Sequence, residues 1–308
     1  MSHPNGYHET TVQVDQVTKS FGEFTAVNQL SLSVRPGRIY GLLGPNGAGK
    51  TTTIRMIVNI TAPDSGNIKI FGKQITPELQ DRIGYLPEER GLYKKMKVGE
   101  QLKFFAELKN INGKEADQRI DKWLARLKLS EWKLKKSMEL SKGMQQKIQF
   151  ITAVLHEPDL IILDEPFSGL DPVNVELLKD VVLELKAAGK TIIFSTHQME
   201  VAEEICDDIC LINRSRKVLE GSIRQVRQSF GRNTVALRFE GDESVLSDPA
   251  MVTKVERHAD EMEVLLAEGA DAQILLKRLV AAGAVVGKFE MMEPSLNDIF
   301  IAKVTEAA

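Results

Sequence analysis

Several short runs along the chain carry side chains suited to phosphate chemistry. The run Gly44-Pro45-Asn46-Gly47-Ala48-Gly49-Lys50-Thr51 fits the pattern G-x-x-x-x-G-K-[ST], in which backbone N–H groups cradle phosphates. Its glycines permit backbone geometries that a Cβ would resist, while Lys50 adds a positive charge and Thr51 a hydroxyl ligand for Mg²⁺. The run therefore predicts a phosphate loop between a strand and the helix that follows it.

A pair of carboxylates follows a second apolar run. Leu160–Leu163 is continuously apolar, as in a buried parallel strand, and it ends in Asp164-Glu165-Pro166. Asp164 suits the hydration shell of Mg²⁺, and Glu165 is placed to act as general base towards an attacking water. A solvated strand end followed by a proline is the alternative interpretation, and it is weak beside Lys50.

Two further residues could contact a nucleotide. Thr191–Thr196 is another buried-strand pattern, and it brings His197 to the same sheet edge, where it could orient the γ-phosphate or the water. Phe21 lies in a turn before the phosphate loop. It could stack on a nucleotide base, or it could be a core residue of a β-hairpin.

The run Leu140–Gln146 contains a Ser-x-Gly turn before a helical pattern. Ser141 and the backbone N–H groups near Gly143 form an anion site suited to a phosphate that belongs to a second subunit.

Close to the carboxylate pair, Ser168-Gly169-Leu170-Asp171-Pro172 forms a turn. Asp171 could cap the next helix or reach across a subunit boundary.

The elements that must position these residues alternate between strands and helices. Residues 11 to 87 show strand patterns and turns around the phosphate loop, and a helical insert is predicted over about 88–158. After residue 222 the pattern starts again with three strands, a helix and a fourth strand. We therefore predict an α/β fold with two domains, 1–222 and 223–308, the second a small α+β unit.

In this order, the motifs resemble the nucleotide-binding subunit of ATP-binding cassette (ABC) transporters, with Walker A and Walker B motifs at Gly44–Thr51 and Leu160–Glu165. The resemblance implies a P-loop NTPase core with an antiparallel β subdomain and a helical subdomain, ATP hydrolysis with Mg²⁺, and a head-to-tail dimer. Glu165, His197 and Lys50 would be catalytic, and Thr51, Glu88 and Asp164 would hold the metal. The residues expected to contact nucleotide are Phe21, Gly44, Pro45, Asn46, Gly47, Ala48, Gly49, Lys50, Thr51, Thr52, Glu88, Ser141, Gly143 and Asp171.

The chain departs from the family pattern at two places. Glu88 stands where members commonly have glutamine, so an amide donor is replaced by a charged oxygen that can still face Mg²⁺ or water. In the Ser-x-Gly turn, Lys142 and Met144 replace the usual glycine and glutamine, whereas Ser141 and Gly143 are kept. Neither change removes the carboxylate proposed as general base.

Composition limits the partners and the location. A formal charge of −3 and the lack of long Lys/Arg blocks give no reason to expect nucleic acid. No stretch approaches the roughly 20 apolar residues that span a bilayer, and residues 1–6 lack a secretory pattern. Cys206 and Cys210 fit small core residues in a reducing cytosol. We therefore expect a cytoplasmic protein held at the inner membrane face by a separate permease subunit.

The short tail Glu293–Phe300 resembles the end of ATPase subunits from drug-export and sodium-export transporters. This resemblance favours export of a sodium ion, a drug or a peptide. The second ATP-binding subunit of the implied dimer is expected to be another copy of this chain. A soluble cassette ATPase acting on ribosomes or DNA is the alternative, but such proteins usually carry two cassettes or a long coiled coil. A regulatory module that senses ATP without turnover is disfavoured by Glu165 and His197.

Overall fold

The fold is described from a computed structural model of the 308-residue chain. The structure describes residues 10–89, 91–230, 234–258, 260–267 and 269–306. Residues 1–6, whose sequence lacks a secretory pattern, lie outside these ranges. None of the helices in the described ranges combines the length and the apolar character of a membrane span.

The chain divides into a first compact unit ending at Ile223 and a second unit beginning at Arg224. The strands of the first unit are β1 (Val12–Phe21), β2 (Phe24–Val34), β3 (Ile39–Leu43), β4 (Ser65–Ile70), β5 (Ile83–Leu86), β6 (Leu160–Asp164), β7 (Thr191–Thr196), β8 (Asp208–Asn213) and β9 (Arg216–Ser222). Its helices are α1 (Lys50–Ile57), α2 (Pro77–Gln80), α3 (Val98–Glu107), α4 (Gly113–Arg126), α5 (Lys142–Val154), α6 (Pro172–Ala187) and α7 (Met199–Ile205). The predicted α/β core is confirmed.

A six-stranded sheet in the order β5-β6-β7-β3-β8-β9 forms the centre of the first unit. All pairings are parallel except that between β8 and β9. Every residue of β3, β6 and β7 is buried, as expected of parallel strands covered on both faces. The register pairs Leu43 with Thr196 and Asp164 with Ser195, so the carboxyl ends of these three strands meet at one edge.

A second, antiparallel sheet in the order β2-β1-β4 packs on the helix that follows the phosphate loop. Its buried side chains share one hydrophobic cluster with Ile54, Met56 and Ile57 of α1. This cluster fixes α1 between the two sheets, and with it the loop from which α1 begins. The predicted antiparallel β subdomain is confirmed.

The predicted helical insert is also present, as α3, α4 and α5 between β5 and β6. In α4 the buried residues Ala116, Ile120 and Leu124 recur every four residues, which gives the helix one apolar face towards its neighbours. The first helix of the insert, α3, begins at Val98, which is fully buried and extends the apolar face of the helix.

The second unit begins in α8 (Ile223–Phe230) and continues with β10 (Thr234–Glu240), β11 (Val252–Arg257), β12 (Met262–Leu266), α9 (Ala272–Ala281), β13 (Val285–Met292) and α10 (Leu296–Glu306). Its antiparallel sheet has the order β11-β12-β10-β13 and a hydrophobic cluster of its own, which includes Val235, Val264 and Leu275. The predicted small α+β unit is confirmed, whereas α8 is absent from the prediction.

Two smaller observations concern individual residues. In the tail, Ser295 Oγ accepts a hydrogen bond from the Asp298 N–H at 3.1 Å, which is the geometry of a helix cap. Cys210 is fully buried and Cys206 half-buried, and both thiols are free. Burial raises the pKa of Cys210 to about 12, so this thiol stays protonated and behaves as a small apolar side chain.

Candidate active site

The phosphate loop lies between β3 and α1 and is closely packed from both sides. Gly44 has a φ of +147°, and a Cβ there would lie 2.1 Å from the carbonyl oxygen of Ile212. Gly49 has a φ of +109°, and a Cβ there would lie 2.3 Å from the carbonyl oxygen of Ala26. Both positions therefore require glycine, and the backbone of the loop is fixed by its neighbours.

The side chain of Lys50 is almost fully buried and folds back over the loop. Its Nζ donates hydrogen bonds to the carbonyl oxygens of Gly44 at 2.8 Å and Pro45 at 3.2 Å. The same ammonium lies 3.4 Å from Oε1 of Glu165. The Lys50 ammonium is thus held by the loop at one side and by the carboxylate of Glu165, the residue that follows β6, at the other. Asn46 and Gly47 are exposed at the loop tip.

Three oxygen-bearing side chains meet beside the loop. Thr51 Oγ1 lies 3.2 Å from Oδ1 of Asp164 and 3.4 Å from Oε2 of Glu88. Asp164 is fully buried, and this burial raises the pKa of its carboxyl, against two hydroxyl hydrogen bonds that lower it. Its Oδ2 has no hydrogen-bond partner among the described residues. A buried, unsatisfied carboxylate oxygen on a residue that contacts a threonine hydroxyl, with a second carboxylate beside that hydroxyl, fits a hard divalent cation such as Mg²⁺.

Glu165 connects this group of side chains to His197, the residue that follows β7. His197 Nδ1 lies 3.1 Å from each carboxylate oxygen of Glu165, and the Glu165 side chain is 6% exposed. Glu165 has a φ of +49°, in the left-handed region that few residues other than glycine adopt. The residue therefore turns sharply at the end of β6, and its carboxylate lies between Lys50 and His197.

Ser195, which no sequence motif indicates, lies in the same group of side chains. Its hydroxyl is 2.5 Å from Oδ1 of Asp164, and it accepts the backbone N–H of Glu165 at 2.9 Å. The available signal was a polar residue near the carboxyl end of an otherwise apolar strand. Only the pairing of Asp164 with Ser195 across β6 and β7 reveals which residues its hydroxyl contacts.

Ser141 and Gly143, which are predicted to contact the nucleotide of a second subunit, lie outside this group of side chains. Ser141 caps α5, with its Oγ accepting the Met144 N–H at 3.3 Å, and it is exposed. A Cβ on Gly143 would lie 3.3 Å from Leu170, in the turn after β6. Neither residue has a described contact with Lys50, which agrees with a turn that faces outwards.

Asp171 caps α6, as one of its two interpretations predicts, and its reach across a subunit boundary stays a prediction. Its carboxylate accepts the backbone N–H of Asn174 at 3.0 Å and the Asn174 side-chain amide at 2.6 Å, which together lower its pKa. The Asn174 side chain in turn accepts a hydrogen bond from Lys147 of α5 at 3.0 Å. Burial lowers the pKa of Lys147, while the charge of Asp171 opposes this shift.

Phe21 lies at the tip of the hairpin between β1 and β2, opposite Phe24. Its side chain is 55% exposed, and the Lys19 ammonium lies 5.6 Å from the ring centroid. The hairpin-core interpretation of Phe21 is therefore wrong, because the ring does not enter the core. An exposed aromatic ring near a cation is compatible with base stacking, which stays a prediction.

The sequence is similar to that of known proteins over most of its length. The profile of the family described as ABC transporter matches residues 27–168, and that of the C-terminal domain of ATP-binding proteins like DrrA1-3 matches residues 221–304. An uncharacterized ABC transporter ATP-binding protein of Bacillus subtilis, YhaQ, is 45% identical over 94% of this chain and 97% of its own length. The Nod factor export ATP-binding protein I of Cupriavidus metallidurans is 33% identical over 94% of this chain and 96% of its own.

Solved structures give the same result for the first unit. The structure of an ATP-binding subunit of an ABC transporter superposes with a TM-score of 0.67 at 32% identity, covering 72% of this chain and 94% of that one. A nucleotide-free ATP-binding cassette from an ABC transporter superposes with a TM-score of 0.63 at 26% identity, covering 72% and 95%.

Proposed function

The chain belongs to the ATP-binding subunits of ABC transporters, and from this premise we propose that it powers export of a substrate through a separate membrane-spanning partner. ATP binding and hydrolysis are the activity of this family. The observation that carries the export proposal is the extent of the similarity. A relative named for export matches 94% of the chain, a span that includes much of the second unit. The expected cargo, a sodium ion, a drug or a peptide, stays a prediction.

In the proposed reaction, the loop backbone and Lys50 bind the phosphates of ATP, and Phe21 stacks on the adenine. Thr51, Asp164 and Glu88 would hold Mg²⁺, which supplies positive charge to the phosphate oxygens. Glu165 accepts the proton of the attacking water, and His197, bonded to Glu165, orients the reacting groups. The hydrogen bond between His197 and Glu165 and the ion pair with Lys50 support these roles.

Ser141, Gly143 and Asp171 are proposed to act on the nucleotide of a second copy of this chain. Ser141 is exposed at the N-terminus of α5, where the helix dipole favours an anion. Because these residues have no described contact with their own phosphate loop, a head-to-tail homodimer gives them a function. Lys142 is also exposed beside Ser141 and would add favourable charge near a phosphate.

An exposed aromatic cluster is the proposed docking surface for the membrane partner. Tyr93, Phe104 and Phe105 pack with ring centroids 5.6 to 6.4 Å apart. Tyr93 is 52% and Phe104 38% exposed, so only part of this cluster is covered by the helices around it. Exposed clustered aromatic side chains are typical anchors of protein interfaces.

Co-purification tests the transport proposal. We expect the chain, when co-expressed with a multi-span membrane protein encoded by the neighbouring reading frame, to be recovered with it from detergent-solubilised membranes. Replacing Tyr93 and Phe104 with serine should lower this recovery at least about tenfold, because the aromatic anchors are lost. Ile60→Ser, at a residue 60% exposed elsewhere on the unit, is the matched control. Recovery with ribosomes or DNA and without the membrane protein would favour the soluble cassette ATPase instead.

The second unit is proposed to be an accessory domain that regulates or stabilises the complex. Ending the chain after Ile223 should leave a folded protein whose ATP affinity changes less than about twofold, because the two units have separate hydrophobic clusters. Nucleotide titration and size-exclusion chromatography would measure this. A control ending at Asn213 removes β9 from the central sheet and should be unstable. An insoluble or non-binding product of the first truncation would contradict the proposal.

A further inference from the structure

The hydroxyl of Ser195 contacts two neighbouring residues that have different proposed tasks. It is bonded to the carboxylate of Asp164, and it accepts the backbone N–H of Glu165. We propose that Ser195 is a positioning residue for ATP hydrolysis, which orients the metal-binding carboxylate and the general base at the same time. This inference rests on the proposed roles of Asp164 and Glu165.

The direction of the two hydrogen bonds follows from the groups involved. A backbone N–H can only donate, so Ser195 Oγ is the acceptor towards Glu165. Its single proton is then available for Oδ1 of Asp164, 2.5 Å away. Thr51 Oγ1 lies 3.2 Å from the same Oδ1 atom, whereas Oδ2 of Asp164 has no hydrogen-bond partner among the described residues. The two hydroxyls therefore fix one oxygen of Asp164 and leave the other for a metal or its water.

The second bond acts on a strained backbone. Glu165 has a φ of +49°, a conformation that costs a non-glycine residue free energy unless its surroundings impose it. Its N–H is bonded to Ser195, and its carbonyl oxygen accepts the Ser168 N–H at 3.2 Å. Both hydrogen bonds hold the turn that directs the carboxylate towards Lys50 and His197. Loss of the Ser195 acceptor would leave a buried N–H without a partner and release this turn.

A matched control lies on the same strand. Thr191 is at the amino end of β7, about 13 Å away at roughly 3.3 Å per residue, and is also buried. Its Oγ1 lies 3.3 Å from the hydroxyl of Thr11 and accepts the Gly37 N–H at 3.0 Å. Thr191→Val therefore removes a buried, hydrogen-bonded hydroxyl from β7 without touching the active site.

The experiment compares Ser195→Ala with Thr191→Val in the full-length chain. Mn²⁺ binding in the presence of ADP, followed by electron paramagnetic resonance, should weaken about tenfold in Ser195→Ala, since partners that orient metal ligands usually contribute 10- to 100-fold. The kcat at saturating metal should also fall at least about tenfold, and metal-free ATP binding should change less than about twofold. Thr191→Val should resemble the wild type in all three measurements.

Ser195→Thr keeps the hydroxyl and should recover most of the Mn²⁺ affinity and kcat. If the alanine variant is too unstable to purify, Ser195→Cys keeps a comparable volume with only a weak donor, and the same losses are expected. Mn²⁺ affinity and kcat like those of Thr191→Val would overturn the inference. Equal losses in the alanine and threonine variants would overturn it too, because they would indicate packing.

Glu165→Gln, measured in parallel, separates this inference from the proposed function. Retained turnover in Glu165→Gln would reject the general-base role of Glu165, on which this inference rests. Lost turnover in Glu165→Gln, combined with wild-type behaviour of Ser195→Ala, would reject only the role of Ser195.

Discussion

Replacing Glu165 with glutamine is expected to lower ATP turnover at least about 100-fold while ATP binding stays nearly intact. The amide has similar size but cannot accept the proton of the attacking water. In the structure Glu165 is also the carboxylate closest to the buried ammonium of Lys50. Without the Glu165 charge, Lys50 loses its ion pair but keeps its two hydrogen bonds to loop carbonyls, so its positive charge is more available to a phosphate. The affinity for ATP should therefore be equal or higher.

Steady-state ATPase assays and nucleotide titration would measure this pair of effects, with the membrane partner present. Glu131→Gln makes the same carboxylate-to-amide change at an exposed residue outside the active site and should leave both quantities unchanged. Lys50→Ala should give the opposite pattern and weaken ATP binding itself. Turnover near the wild-type rate in Glu165→Gln would exclude Glu165 as the general base.

Dimerisation should be equally sensitive to a single residue. The Glu165→Gln protein is expected to form a dimer with ATP and Mg²⁺, and Ser141→Arg in that background should abolish it. Ser141 is exposed at the N-terminus of α5, so an arginine there would add bulk where a phosphate from the other subunit should bind. Loss of the Ser141 helix cap would lower the free energy of unfolding by about 1 kcal/mol, which is not enough to unfold the unit.

Light scattering with ATP and Mg²⁺ decides between the monomer and the dimer. Thr76→Arg is the matched control, because Thr76 is also an exposed helix cap of the same unit, with its Oγ1 accepting the Leu79 N–H at 3.4 Å. It should leave the dimer unchanged. A dimer that survives Ser141→Arg would mean that another surface holds the two subunits together.

Most of the active site could be predicted because its residues follow buried strands at fixed spacing. Lys50, Asp164 and His197 come directly after or close to apolar runs, and the carboxyl ends of parallel strands meet at one edge. Such short-range patterns do not contain the register between strands. Ser195 was therefore overlooked, since only its pairing opposite Asp164 gives its hydroxyl a partner.

The strained backbone of Glu165 and two of the helices are also missing from the sequence-based prediction. The positive φ of Glu165 is imposed by its neighbours, and glutamate itself gives no local sign of it. Helix α8 carries Ile223, Val226 and Phe230 at spacings of three and four, a usable helical signal that was overlooked beside the preceding Gly221. The short α2 has too few residues for any periodicity.

The hydrogen-bonded series from Lys147 through Asn174 to Asp171 has a consequence for the entropy of association. It ties α5, which begins at Ser141, to the cap of α6, so the two turns proposed to meet a second subunit keep a fixed spacing within one chain. Lys147 is also bonded to the carbonyl oxygen of Leu127 at 3.0 Å, which limits its motion further. A surface ordered during folding loses little conformational freedom on binding. Most of the free energy gained when both subunits contact the same ATP molecule would then remain available to stabilise the closed dimer.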